Sequence, residues 1–140
     1  MRFKQVILTI ITISIAITAN LTVNRLVPFS TAEVLVQTSN AKKVEADRLN
    51  DLGLEQLDKS QFEAALQSFQ QALAIYREIQ DRKNELAAQG NLAIVYDNLG
   101  NYNKAIEYLQ QVLAIAREIK DRKSEGKTLS NLGNAYDNLT

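Results

Sequence analysis

Residues 73–83 read LAIYREIQDRK, and residues 113–123, forty positions later, read LAIAREIKDRK. The likeness extends in both directions, because residues 61–100 and 101–140 share 19 of 40 residues when they are aligned without a gap. Weaker matches continue one period earlier. A fixed period of this length is the sequence signature of a repeat architecture. The chain therefore contains an array of about two and a half units, which starts near Ala41.

Each unit carries the apolar periodicity of an α-helix. Apolar residues of the second unit recur at intervals of three and four, which places them on one helical face: Ala105, Ile106, Leu109, Val112, Leu113, Ala116 and Ile119. Gly100 stands where a C-cap glycine is expected, and Asn84 and Ser124 can cap the helices that follow the two Asp-Arg-Lys turns. The pattern predicts an all-α fold of five helices without strands, at about 42–59, 62–80, 84–99, 102–120 and 124–139.

The first 32 residues differ from the repeats. Arg2 and Lys4 precede 19 uncharged residues, 6–24, which are rich in Ile, Thr and Ala. A basic start followed by an apolar run is typical of a secretory signal peptide, and the run is also long enough for an uncleaved membrane anchor. The β propensity of the Ile and Thr residues leaves a buried strand or core helix as a third interpretation. We expect residues 1–32 to be a signal peptide or a membrane anchor.

Three segments follow from this division of the chain. Residues 33–41 are interpreted as a linker between the N-terminal segment and the array, which occupies residues 42–140. The units of the array are expected at about 42–80 and 84–120, with a partial unit at 124–140. The partial unit holds one helix, which fits either a truncated chain or a polar terminal helix that caps the array.

Composition excludes several classes of protein. The chain has no histidine, cysteine or tryptophan, so a histidine-based triad, a cysteine nucleophile and a zinc finger are impossible. No glycine-rich phosphate loop or acidic metal-binding motif appears, so we expect no catalytic residue, no metal and no cofactor. The net charge of zero combines +3 in residues 1–32 with −3 in residues 33–140. A mildly acidic array is a poor match for nucleic acid.

The second unit resembles the tetratricopeptide repeat family. The residues at the spacing of the family signature are Leu92, Ala93, Tyr96, Leu99, Gly100, Tyr102, Ala105, Leu109 and Leu113. The 40-residue period, with Leu132-Gly133-Asn134, is similar to the longer subclass of kinesin light chains, Leu-Gly-Asn spindle adaptors and many cyanobacterial proteins. The resemblance implies a right-handed superhelical solenoid of antiparallel helix pairs, with about 2.5 units after the N-terminal hydrophobic segment.

The resemblance also implies a concave groove, lined mainly by the first helix of each pair, that binds peptide segments. An Asn side chain donates and accepts, so it can pair with a peptide bond; Asn134 matches the backbone-binding asparagine of the subclass and is the strongest candidate. A local role at a helix end stays open for Asn98 and Asn138, and packing is the expected role of Tyr96 and Tyr136. The groove-facing candidates are Asn50, Leu54, Leu57, Ile94, Asp97, Asn98, Lys127, Asn131, Asn134, Asp137 and Asn138.

The function implied by this resemblance is that of a non-enzymatic scaffold or adaptor. Its partner is another protein or a peptide segment, with self-association as a second mode, and it contacts a membrane only through the N-terminal segment. The expected location is bacterial, either exported to the periplasm or exterior or anchored in the inner membrane. The alternative is the N-terminal regulatory portion of a longer protein with a downstream catalytic domain, such as a CHAT-type domain.

Overall fold

The computed structural model describes residues 31–139, which form helices and short turns with no strand among them. The five helices are α1 (Thr31–Asp58), α2 (Phe62–Glu78), α3 (Arg82–Asn98), α4 (Tyr102–Glu118) and α5 (Arg122–Asp137). Consecutive helices pack against each other, so the all-α repeat architecture is confirmed. The predicted signal peptide or anchor covers residues 1–32. All but the last two of these positions lie outside the described residues.

The first helix begins earlier than the sequence pattern predicts. A start near residue 42 is wrong, because α1 begins at Thr31 and the segment 33–41, interpreted as a linker, is helical with exposed side chains. The segment contains neither Gly nor Pro, so nothing in it breaks a helix, and Glu33 in the first turn favours the positive end of the helix dipole. Within residues 31–139, no helix is both long enough and apolar enough to cross a membrane.

The backbone reverses direction by the same device every twenty residues. In the turn that follows each of the first four helices, one residue has a left-handed φ angle between 57° and 71°. These residues are Ser60, Gln80, Gly100 and Lys120. At Gly100 the N–H donates to the carbonyl of Asp97 at 2.9 Å, which satisfies an acceptor at the end of α3. Gly100 confirms the predicted C-cap glycine. The other three turns adopt the same backbone with a side chain that disfavours it.

Replacing Gln80 or Lys120 by glycine is therefore expected to raise the free energy of unfolding by about 0.5–1 kcal/mol, because relief of the left-handed strain exceeds the entropic cost of glycine. The matched control is Gly100→Ala, which meets no atom within 4 Å of the added Cβ and isolates the backbone effect. It should lose about 1 kcal/mol. Urea unfolding measures all three variants, and a destabilised Gln80→Gly protein would contradict the prediction.

The helix N-caps lie three residues before the predicted ones. Asp81 and Asp121 are the cap residues, and their carboxylates accept hydrogen bonds from the N–H groups of Asn84 and Ser124, both at 3.1 Å. The predicted caps Asn84 and Ser124 instead donate their side chains to the same carboxylates. The hydroxyl and N–H of Ser124 hold the pKa of Asp121 below its ordinary value. Both helices therefore begin two residues earlier than predicted.

The same helix crossing contains different pairs of side chains in the first and second units. In the first unit Gly53 of α1 faces the ring of Phe69 in α2, and a Cβ at Gly53 would lie 2.6 Å from that ring. Forty residues later Ala93 and Leu109 belong to one buried cluster. A larger side chain on the first helix thus accompanies a smaller one on the second. Close packing of this kind permits little change in volume at either position.

A repeated charge cluster joins each pair of helices to the next. Glu85 of α3 is buried and accepts from Arg77 of α2 at 3.0 Å and from Arg82 of its own helix. The same three positions recur in the next unit as Arg117, Glu125 and Arg122, with both contacts at 2.8 Å. A buried carboxylate requires such partners. The clusters therefore link α2 to α3 and α4 to α5 across the two turns.

Candidate peptide-binding groove

The candidate site is a cavity of about 310 Å³ between α3 and α5. Its floor is apolar and buried, and consists of Ala93, Ala105, Leu109 and Ala135. Its rim is more accessible and mostly polar, and consists of Ile94, Asp97, Asn131, Asn134 and Asn138. Small alanine side chains at the helix crossings leave room between the helices, since a void forms where side chains do not fill the space. The cavity is thus an apolar depression bordered by amides.

The rim contains five of the candidates that the sequence pattern assigns to the groove. Ile94 and Asp97 lie one turn apart on α3, and Asn131, Asn134 and Asn138 follow one face of α5. Helical spacing of three and four residues explains why each set shares a face. Facing helices then bring the two sets to one cavity. The four floor residues are not among the predicted groove candidates. The signal that could have identified them is the small size of the alanines at the helix crossings.

The other candidates do not line this cavity. Asn50 accepts a hydrogen bond from the side chain of Asn91 at 3.2 Å, which links α1 to α3. Leu57 is partly buried and packs against the buried core of the first unit. Leu54 and Lys127 are exposed outside the cavity.

Two further candidates lie at the C-terminal ends of their helices. The side chain of Asn98 donates to the carbonyl of Ile94 at 2.8 Å, so the local role that the sequence left open is the observed one. Asp137 is the last residue of α5, exposed and outside the cavity lining. Neither residue lines the cavity.

The rim amides Asn131 and Asn138 differ from Asn91 and Asn98, which stand forty residues earlier and use their side chains in hydrogen bonds within the fold. The side-chain amide of Asn91, forty residues before Asn131, donates a hydrogen bond to the side chain of Asn50. Within residues 31–139 the side chains of Asn131, Asn134 and Asn138 have no such partner. An amide offers two donors and one acceptor oxygen. The rim therefore presents unused hydrogen-bonding groups beside an apolar floor.

Aromatic residues near the cavity serve packing. The rings of Tyr96 and Tyr108 stack with centroids 5.5 Å apart and an interplanar angle of 15°. Burial raises the pKa of Tyr108, so its hydroxyl stays neutral over the physiological range. The expected packing role of Tyr96 is confirmed. Tyr136, at the equivalent position of α5, is half-exposed, and its hydroxyl accepts from Gln110 at 3.3 Å.

An all-α array of helix pairs with a cavity between alternate helices belongs to the class of helical-repeat proteins. A family model described as "Tetratricopeptide repeat" matches residues 84–139, a range that includes every residue lining the cavity. The matched residues form the second half of the array, and this part of the chain is similar to tetratricopeptide repeats. No curated protein matches the chain.

Proposed function

We propose that the chain is a non-enzymatic protein-interaction module that binds an extended peptide segment in the cavity between α3 and α5. Tetratricopeptide repeats generally mediate protein–protein interaction. The observation that supports this assignment most directly is the row of three rim amides with unused hydrogen-bonding groups above an apolar floor. This combination suits a polypeptide, whose backbone needs both donors and acceptors and whose side chains need an apolar environment.

The dimensions of the cavity limit what it accommodates. About 310 Å³ lies at the small end of the range for ligand pockets. One or two side chains fill such a space, whereas the flanking backbone of the ligand must lie along the accessible rim. An extended segment meets both conditions, because its side chains alternate and leave its amide groups free to pair with the rim. A folded partner would contact the array more broadly.

Replacing Asn134 by alanine is expected to weaken peptide binding about tenfold, because one hydrogen bond to the ligand backbone is worth roughly 0.5–1.5 kcal/mol and its partner would remain unsatisfied. The probe is the tightest-binding heptapeptide selected from a random library against the 140-residue chain, and fluorescence anisotropy measures its affinity. Circular dichroism should show unchanged helicity, since Asn134 is exposed.

The matched control is Asn103→Ala, which removes an exposed amide in the first turn of α4 and outside the cavity. It should bind the selected peptide as tightly as the unchanged chain. If no heptapeptide is selected, or if both alanine variants bind equally well, the cavity is not the peptide site and the proposed function is wrong.

We further propose that the array acts as an exported or membrane-tethered adaptor of the longer, 40-residue-period subclass. The supporting features are the basic start at Arg2 and Lys4, the apolar residues 6–24, and the Leu-Gly-Asn motif at residues 132–134. Sequencing the N-terminus of the protein from its host cell separates a cleaved signal peptide from a retained anchor. An N-terminus at Met1 in a protein that fractionates with the cytosol would overturn the exported location.

A further inference from the structure

One charged residue borders the cavity in the part of the chain that the structure describes. This residue is Asp97, which is exposed. It forms no ion pair with any residue in the range 31–139, although ion pairs join many other carboxylates of the array. Lys127 is the nearest basic candidate along α5, one turn before Asn131, and it does not line the cavity. The rim therefore has a net negative charge that no described group neutralises.

The helix ends near Asp97 add to this negative potential. The last turns of α1, α3 and α5 contain no basic residue, whereas α2 and α4 end with Arg77 and Arg117 in their last turns. The C-terminal end of a helix carries a partial negative charge that a basic side chain in the last turn would offset. Asp97 and Asn138 lie at two of these uncompensated ends, on α3 and α5. The carboxylate of Asp97 and the C-terminal ends of α3 and α5 therefore lie on the same side of the cavity.

We propose that the peptide bound between α3 and α5 carries a Lys or Arg side chain that pairs with Asp97, beside a small apolar side chain that rests on the alanine floor. This inference rests on the proposed function and names the chemistry of the ligand. The apolar side chain is small because the cavity, at about 310 Å³, lies at the small end of the range for ligand pockets. The basic side chain lies next to it in the ligand, since Asp97 and Ile94 are one helical turn apart on the same rim.

Charge complementarity favours this ligand over an acidic one. An acidic segment would place like charges next to Asp97 and against two helix C-termini, which is unfavourable. The attraction between a basic side chain and Asp97 is moderate while both are in water, and it increases when the ligand covers the carboxylate and excludes solvent. We expect a Lys or Arg side chain to increase affinity about 3- to 10-fold over a neutral residue of similar length.

The test selects heptapeptides from a random library against the 140-residue chain and, in parallel, against its Asp97→Asn variant. Selection on the unchanged chain should enrich Lys or Arg at one position beside a small apolar residue, and selection on Asp97→Asn should lose this enrichment. The best peptide should bind Asp97→Asn 3- to 10-fold more weakly, with a smaller dependence on salt. Asp58→Asn, which neutralises an exposed carboxylate at the end of α1 outside the cavity, should change neither result.

The outcomes separate the two proposals. Peptides whose binding depends on Asn134 but which show no Lys or Arg enrichment, or bind Asp97→Asn equally well, would overturn the charge inference and leave the groove assignment intact. Enrichment of Asp or Glu would also overturn the charge inference, because it would show that the ligand is acidic. If no selected peptide depends on Asn134, the proposed function itself fails.

Discussion

Alanine at Gly53 is expected to lower the free energy of unfolding by about 2–3 kcal/mol, although glycine-to-alanine changes within helices ordinarily stabilise. The added Cβ would lie 2.6–2.9 Å from three carbons of the Phe69 ring. Phe69 is fully buried, so its ring has no solvent-filled space into which it can move. Either the helices separate or the ring leaves its preferred rotamer, and both responses lose packing in the core of the first unit.

The repeat supplies the control for this prediction. Gly133 occupies the same position in α5 and meets no atom within 4 Å, so Gly133→Ala should be neutral or stabilise by up to about 1 kcal/mol. The double variant Gly53→Ala with Phe69→Leu reproduces the second unit, where Ala93 and Leu109 share a buried cluster. It should recover about 1–2 kcal/mol relative to the sum of the single changes. Equal effects of alanine at Gly53 and Gly133 in urea unfolding would contradict the steric explanation.

Serine at Leu49 is expected to cost about 3–5 kcal/mol, the largest effect that we predict for a single substitution. Leu49 is 7% exposed in the core of the first unit, so the change creates a cavity and buries a hydroxyl group that has no evident partner. Leu129 is the same residue at the same repeat position, eighty residues later, and it is 48% exposed. Leu129→Ser should therefore cost less than about 1 kcal/mol.

Because both changes are identical and both sites are helical, differences in helix propensity cancel in this comparison. Thermal unfolding at two protein concentrations, tenfold apart, measures the pair. A large loss at Leu129 that grows with protein concentration would show that a second copy covers this face of α5, as self-association requires. A large loss that does not depend on concentration would contradict the burial that the structure assigns to Leu129.

Much of the helical framework was predictable from the repeat, because apolar residues at Ala105, Leu109 and Ala116 recur with helical spacing. The errors occurred where helices begin. Residues 33–41 carry exposed side chains without an apolar face, so periodicity does not reveal that they are helical. The N-caps Asp81 and Asp121 are residues that the sequence pattern assigns to the turns. Only the backbone geometry distinguishes a cap at these positions from one three residues later.

The site was partly predictable for a related reason. Positions along one helix, such as Asn131, Asn134 and Asn138, follow from the spacing of three and four residues. The distance between two helices does not, because it depends on the side chains at each crossing. Asn50 therefore hydrogen-bonds across from α1 to α3, whereas the corresponding space between α3 and α5 stays open. The sequence alone does not distinguish an amide used within the fold from one available to a ligand.

The half-exposed side of α5 affects how the cavity is held together. Within residues 31–139, α5 packs mainly on α4, and its Leu129 and Tyr136 are half-exposed. A helix with packing contacts mainly to one neighbour opens locally at lower free energy than a helix packed between two. Three of the five rim residues lie on α5 or at its C-cap, so local opening of α5 removes the site before the rest of the array unfolds. A ligand that bridges α3 and α5 therefore also acts as a clasp between these two helices.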